Sequence, residues 1–330
     1  GGSGTALNGL ITLGSSAARI LATSSPNMQL QQITGNNFDL TFGGSYRIYA
    51  YSTISLGSGK VIFEGTGASA NMIIQGNNTF TGGLLFKCNN AAAYIAVENI
   101  NGLGQPTSAK ITFGPGAQGT IYLEVSPTIV GLNTDPTTPG TPVILNDATA
   151  RTLTVNNATA NTFAGRLTEG TAKLSLIKGA VGTLTLSGDN NYTGTKTIGA
   201  GMLVAGHANA LGTSGTIAVN NSGTFLGVAA GVTLTRDVTF GASTGLAIFF
   251  AADGTAGKLV ASGTTIDLAG KTLKLEGTIK PGTYDVASFG TISGGTFTVV
   301  DNTGSGASVT YSGGTVKVTV TASGTVFKIL

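Results

Sequence analysis

The sequence predicts an all-β fold, a parallel β-solenoid with a β-rich C-terminal cap. Three observations carry the prediction. In Lys173–Val204 the apolar residues fall at i and i+2 and then stop: Leu174 and Leu176, Leu184 and Leu186, then Ile198 and Leu203. That is the period of a strand with one buried face, not of a helix. Gly179, Gly182, Gly188, Gly194, Gly199 and Gly201 interrupt these beats, so the strands are shorter than an open sheet uses. The stretch also recurs. LTLSGDNNYTG begins at Leu184 and MIIQGNNTFTG at Met72, and the two stay in register from end to end. Gly76 matches Gly188, Asn78 matches Asn190, Phe80 matches Tyr192 and Gly82 matches Gly194. NTFAG at Asn161–Gly165 is a shorter echo, with Phe163 in the place that Tyr192 holds in the full copy. Self-similarity of this kind marks a solenoid, where each unit buries its apolar face only by stacking on the next.

Taken in order, Gly1–Gly44 reads as opening rungs, with weak strands at Leu10–Leu13 and Ile20–Ala22 and a good alternating one at Phe38–Phe42. The alanine pair Ala17–Ala18 leaves room for a helical turn. Tyr46–Phe63 holds two strands ended by glycines, and Met72–Phe86 is the first repeat copy. Ala91–Val97, Ile111–Phe113 and Thr120–Val125 continue the stack. Ser126–Pro142 gathers four of the eight prolines and is expected to leave the solenoid as a loop, since proline gives no N–H to a ladder. Val143–Gly277 resumes with the cleanest period, so the solenoid is placed at 1–277. Thr278–Leu330 is richer in β-branched residues and reads as a capping sheet and assembly segment. At roughly 20–25 residues and about 4.8 Å per rung, about 13 to 16 rungs fit, a length of order 65–75 Å.

The run KGAVGTLTLSGDNNYTGTKTIGAGMLV, followed by NALGTSGTIAVN at Asn209–Asn220, resembles the autotransporter-associated β-strand repeat of bacterial surface and secreted proteins. Lys178, Gly179, Gly182, Thr183, Leu184, Leu186, Ser187, Gly188, Asn190, Tyr192, Thr193, Gly194, Thr197, Ile198, Gly201 and Leu203 fall on that pattern. The match is specific from Lys178 to Asn220 and partial at 72–86. Tyr284–Val300 also looks like the closing segment of such proteins. The resemblance implies a right-handed parallel β-helix outside the cell, and it brings no catalytic residues. The C-terminal membrane barrel often found in that family is not in this sequence.

Composition narrows the function classes. Glycine supplies 52 of 330 residues without a collagen period; 41% of the chain is hydrophobic and only 9% charged. That excludes disorder and fits a protein that works as an assembled solid or at a surface. The net charge of +3 comes from scattered Lys and Arg, so no nucleic-acid footprint is expected. The single Phe and Tyr residues within strands read as core stacking between rungs. Cys88 is the only cysteine, so no intrachain disulfide forms, and a buried thiol is the simpler reading than an intersubunit bridge. The opening GGSGTALNG lacks the pattern of a signal peptide; an exported protein would already have lost it. Gly245–Ala252 is the densest apolar run and is too short to span a membrane.

Enzyme chemistry finds little support. A polysaccharide-cleaving β-helix needs paired carboxylates. There are only 14 acids, and Asp267, Glu276 and Asp285, nine apart, read as isolated turn residues rather than a pair brought together by stacking. Gly241–Gly245 matches G-x-S-x-G, but strand-like sequence flanks it on both sides and His207, the only histidine, would have to be its base. Gly114–Gly119 matches G-x-G-x-x-G, yet a strand follows it, and Gly270–Thr272 lacks the first glycine of a P-loop. N-x-S/T sequons at Asn77, Asn157, Asn191 and Asn220 arise by chance in so polar a chain. Neither a catalytic group nor a cofactor or metal site is expected.

The leading expectation is an extracellular structural protein that joins copies of itself end to end by strand donation, because a solenoid end exposes unpaired backbone groups. The expected assembly residues are Val326, Phe327, Ile329 and Leu330 at one end and Leu10 and Ile11 at the other. The alternative is a monomeric, surface-displayed passenger or adhesin that binds glycans or host surfaces through the Ser126–Pro142 loop or exposed tyrosines.

Overall fold

The structure is a computed structural model and describes residues 5–321 except 16 and 26. Among the described residues the chain is all-β, without a helix, and its stacked parallel strands form a β-solenoid of about 13 turns. Two compact units divide it, Gly1–Lys196 with Asn209–Gly215, and Thr197–Ala208 with Thr216–Leu330.

In the first unit an eight-stranded parallel sheet runs from Thr5–Leu7 to Arg166–Glu169. A six-stranded sheet joins Ala18–Ala22 through Gly131–Thr134, and shorter ladders fill the remaining side. The rung is not constant in length: a short one separates Met28 from its partner Ile48, and a longer one separates Tyr94 from its partner Thr120. Alternation sets the inside. Ile48, Met72, Ile95, Ile121, Ile144 and Leu167 are cross-strand neighbours on successive rungs, and each is fully buried. Phe42, Phe63, Phe86 and Phe113 form a second register column, with ring centroids 5.6 Å apart for Phe63–Phe86 and 5.5 Å for Phe86–Phe113. Each such side chain contributes about 1.5–3 kcal/mol of burial, and only because the next rung covers it.

The helical turn expected at Ala17–Ala18 does not form. Ala18–Ala22 is a strand paired with Leu40–Gly44, because each of its residues finds a ladder partner on the next rung. The excursion expected over Ser126–Pro142 is shorter than the prolines suggest. Thr128–Ile129 pairs with Thr154–Val155, and Gly131–Thr134 pairs with Lys110–Phe113. Pro127 precedes Thr128–Ile129 and Pro142 precedes Val143–Asn146, and each contributes only its carbonyl, accepting from Thr154 N (3.1 Å) and Arg166 N (2.8 Å). A proline at the edge of a rung therefore removes no ladder bond. Only 135–141 leaves the ladder.

In the second unit Met202–Ala205, Phe225–Val228, Gly245–Phe250, Thr272–Gly277 and Thr298–Asp301 pair in parallel. The strand Gly282–Gly294 is parallel to Lys258–Asp267 on one side and antiparallel to Thr315–Val320 on the other. Gly313 and Gly314, at φ 54° and 82°, turn Ser308–Ser312 back onto Thr315–Val320. A two-residue loop with both φ positive is the turn that matches the twist of a hairpin.

Lys178 ends the strand Leu174–Lys178 on an inward position and is fully buried, its Nζ donating to the Ala180 carbonyl. Burial holds its amine down from 10.5 to about 8. Between those values the unfolded chain carries a proton that the folded chain does not, so stability rises with pH across the window from about 8 to 10.5. The charge costs the fold up to about 3 kcal/mol at neutral pH. Urea unfolding from pH 7 to 10 is expected to show that rise, and Lys178→Met to abolish it; an equal rise in the variant would place the titration elsewhere.

Candidate functional site

The repeat motif resolves into inter-rung staples. Asn190 is fully buried; its Oδ1 accepts from Leu167 N at 2.7 Å and its Nδ2 donates to Ala210 O at 2.6 Å. Asn78 makes the same two bonds, accepting from Ile54 N at 2.8 Å and donating to Gly102 O at 2.7 Å. Each asparagine ties the rung before it to the rung after. A Cβ on Gly188 would lie 1.9 Å from Gly165 O, and one on Gly76 1.9 Å from Ser52 O. Phe80 and Tyr192 are buried beside these corners, and Gly82 and Gly194 also lie against backbone. The motif residues therefore hold the stack and face no ligand.

Other expected positions separate. Leu10 is 60% exposed, and Ile11 lies in the edge strand Ile11–Thr12 of the first described rung. Val326, Phe327, Ile329 and Leu330 lie outside the described residues. The three acids each have their own local partner. Asp267 accepts from Ala269 N, Glu276 from Asn302 Nδ2, and Asp285 pairs with Lys317 at 3.3 Å. Ser243 has φ 53°, but it turns between the strands Val238–Phe240 and Gly245–Phe250, with no helix to follow. Among the described residues no three His, Cys, Asp or Glu side chains gather to hold a metal ion, and no helix is long and apolar enough to cross a membrane. Cys88 is buried, accepts from Gly65 N at 2.9 Å, and its thiol is pushed up to about 12, first by burial. The sequon residue Asn157 is fully buried, so it offers no glycan acceptor.

Two surfaces of the first unit depart from plain ladder. The first is a cleft of about 770 Å³ lined by Leu85, Thr112, Pro115, Asn133, Asp135 and Thr162 among others. It opens where side chains take over from the backbone ladder. Asn161 Oδ1 accepts from Leu132 N, Asn133 Oδ1 from Thr162 N, and Thr134 Oγ1 from Ala164 N. The 135–141 loop overhangs it. Asp135 Oδ1 closes the turn by accepting from Thr138 N at 2.8 Å and Thr137 N at 3.0 Å, which lowers its pKa. Gly116 N donates to Thr138 O and Thr141 N to Ala117 O, so the overhang is tethered at both ends. Its lining mixes asparagine and threonine side chains with prolines and Leu85, and Leu85, Thr112 and Asn133 are register neighbours on successive rungs. Such a mixed lining suits a ligand with both hydroxyl and C–H faces.

The second surface is the outer face of the eight-stranded sheet. Arg47 donates to Tyr49 Oη at 3.2 Å and to Tyr94 Oη at 3.0 Å. Its pKa is raised, first by the bond to Tyr49. Tyr94 and Tyr122, on adjacent rungs, meet edge to face at 5.2 Å; Tyr49 and Tyr51 stack at 5.4 Å. Burial, and then the neighbouring Tyr94 and Asp147, raise the Tyr122 hydroxyl's pKa. Composition alone assigns strand tyrosines to the core. These stand outside, because Tyr49 and Tyr122 occupy the positions that alternate with the buried isoleucines.

No protein-family model matches the chain, and no curated protein matches it. The likeness to the autotransporter-associated repeat thus stands on the residues quoted above.

Proposed function

We propose that this chain is an extracellular, surface-displayed β-solenoid that recognises a glycan or cell-surface ligand through its flank. The observation that carries the reading is the cleft. A repeating scaffold gives up backbone ladder bonds at Asn133 and Asn161, replaces them with side-chain bonds, and roofs the gap with a tethered loop. The very low charge and the resemblance to secreted passenger repeats support the setting. A glycan array probed with the purified protein tests it. Binding is expected, and Thr162→Trp, which fills the cleft from an exposed position, should weaken it at least tenfold without lowering the melting temperature. Absence of binding, or binding indifferent to Thr162→Trp, would remove the cleft from the function.

End-to-end assembly is the second reading, and one observation favours it. The first described rung presents the edge strands Thr5–Leu7, Ile11–Thr12 and Ala18–Ala22, with Leu7, Leu10 and Leu21 exposed at 43%, 60% and 41%. Against it, the antiparallel hairpin of Ser308–Val320 interrupts parallel pairing in its sheet. Electron microscopy at neutral pH decides between them: uniform fibres move the function to the ends, and dispersed single particles leave it on the flank.

A further inference from the structure

We infer that the tyrosine face of the eight-stranded sheet binds a neutral, linear hexose polysaccharide lying along the stack. The inference adopts the flank reading but not the cleft. Three outward columns run across the rungs. The central one is Tyr49, Ile73, Ala96, Tyr122 and Leu145. Beside it stand Arg47, the buried Asn71, Tyr94, Thr120 and Val143. On the far border Glu98, Glu124 and Asp147, all exposed, follow the strand ends. Strand rise separates the two borders by about 13 Å, and rungs repeat at about 4.8 Å.

Ile73 and Ala96 point outward yet are only 6% and 7% exposed, so neighbouring side chains roof them. What stays accessible at the centre is Tyr49, Tyr122 and Leu145, all half-buried, an apolar and aromatic platform. One border is rich in donors. Arg47 spends two N–H groups on Tyr49 and Tyr94, whose oxygens accept and whose own hydrogens remain to donate. The other border is rich in acceptors, its three carboxylates. A neutral sugar chain matches this order: C–H faces on the rings, hydroxyls that accept from one border and donate to the other. Extended hexopyranose chains advance by a distance close to the rung repeat of about 4.8 Å, so successive residues meet successive rungs. An acidic polymer would face Glu98, Glu124 and Asp147, and a nucleic acid would find too few cations.

Affinity electrophoresis tests the assignment, with mannan, dextran, xyloglucan and hydroxyethylcellulose as neutral probes and polygalacturonate as the charged one. At least one neutral polymer is expected to retard the protein. The chain has no tryptophan, so a change in tyrosine emission during titration with the matching hexasaccharide that Tyr94→Phe and Tyr122→Phe diminish reports on this face among the eight tyrosines. Tyr94→Ala and Tyr122→Ala should each weaken binding about tenfold. Tyr94→Phe, which keeps the ring but loses the hydroxyl bonded to Arg47, should fall between the parent and Tyr94→Ala. Glu124→Gln, at an exposed position on the acceptor border, should weaken it even where the alanine variants fold poorly. Retardation by none of the neutral polymers, retardation by polygalacturonate alone, or alanine variants that bind like the parent would each overturn the inference. Binding that Thr162→Trp abolishes would belong to the cleft and overturn it too.

Discussion

Gly188→Ala is expected to destabilise the fold by about 3 kcal/mol or more, at or beyond the upper end of ordinary overpacking. The new Cβ would stand 1.9 Å from Gly165 O and 2.8 Å from Gly165 C. Both atoms are backbone of the preceding rung, so no side chain can swing away. Relief requires the rungs to part, and parting them strips the ladder bonds and the buried leucines around the corner. Gly76→Ala should behave alike, since its Cβ would meet Ser52 O at 1.9 Å. Gly9→Ala is the control: nothing lies within 4 Å of its added methyl, and the cost should stay under about 0.5 kcal/mol. Urea unfolding of the three variants checks this. A Gly188→Ala midpoint equal to that of Gly9→Ala would show that the rungs are looser at this corner than the geometry states.

Asn190→Ala is expected to cost about 2–6 kcal/mol, because truncation orphans two buried groups at about 1–3 kcal/mol each. Those groups are the N–H of Leu167 and the C=O of Ala210, on opposite neighbours. Asn190→Asp separates the two bonds. It keeps the acceptor for Leu167 N but sets a carboxylate against the Ala210 carbonyl, so it should be no better than alanine at pH 7 and recover as the acid protonates. Thermal unfolding at pH 7 and pH 4 reads both changes. An Asn190→Ala variant as stable as the parent would mean that water or a backbone shift replaces the staple. The same test at Asn78, whose bonds are the same, asks whether the two corners are energetically equivalent.

Those two residues also show how much of the molecule is legible in the chain. Period-two apolar beats require strands, frequent glycine requires short ones, and recurrence requires stacking. These are local demands, and the structure meets them in Leu174–Lys178 and Thr183–Leu186 as read. The echo at Asn161–Gly165 is less transparent. Phe163 holds the repeat position of Tyr192, yet it ends the strand Asn161–Phe163, pairs with Leu186, and its ring meets Phe113 at 5.6 Å. The same pattern is a strand at Asn161–Phe163 and lies outside any strand at 191–194, so likeness of a short sequence does not fix its place in the rung. The prolines of 126–142 mislead for a related reason: proline excludes a ladder donor at its own position but says nothing about the residues between. The cleft is hidden because it depends on Asn133 and Asn161, which no pattern distinguishes from the many asparagines at turns. The tyrosine face is hidden because outward aromatics look like core ones until the register is known.

What the sequence by itself determined is the class of fold and the chemistry of its corners. Glycine where a rung must approach backbone, and asparagine where a buried N–H and C=O need one shared partner, are choices made residue by residue. The tertiary structure alone decided where each corner sits. A rung as long as the one from Ile48 to Met72 does not divide the offset from Met72 to Leu184 into whole turns. The first copy therefore starts in the eight-stranded sheet, at Asn71–Ile74, and its Thr79 N bonds Ile54 O. The second starts one side earlier, at Thr183–Leu186 on Asn161–Phe163, and only then reaches that sheet, where Asn191 N bonds Leu167 O. Local propensity is blind to that rotation, because it follows from the summed length of every rung between. Which tyrosines share a face, and which loop overhangs which strand, depend on the same sum.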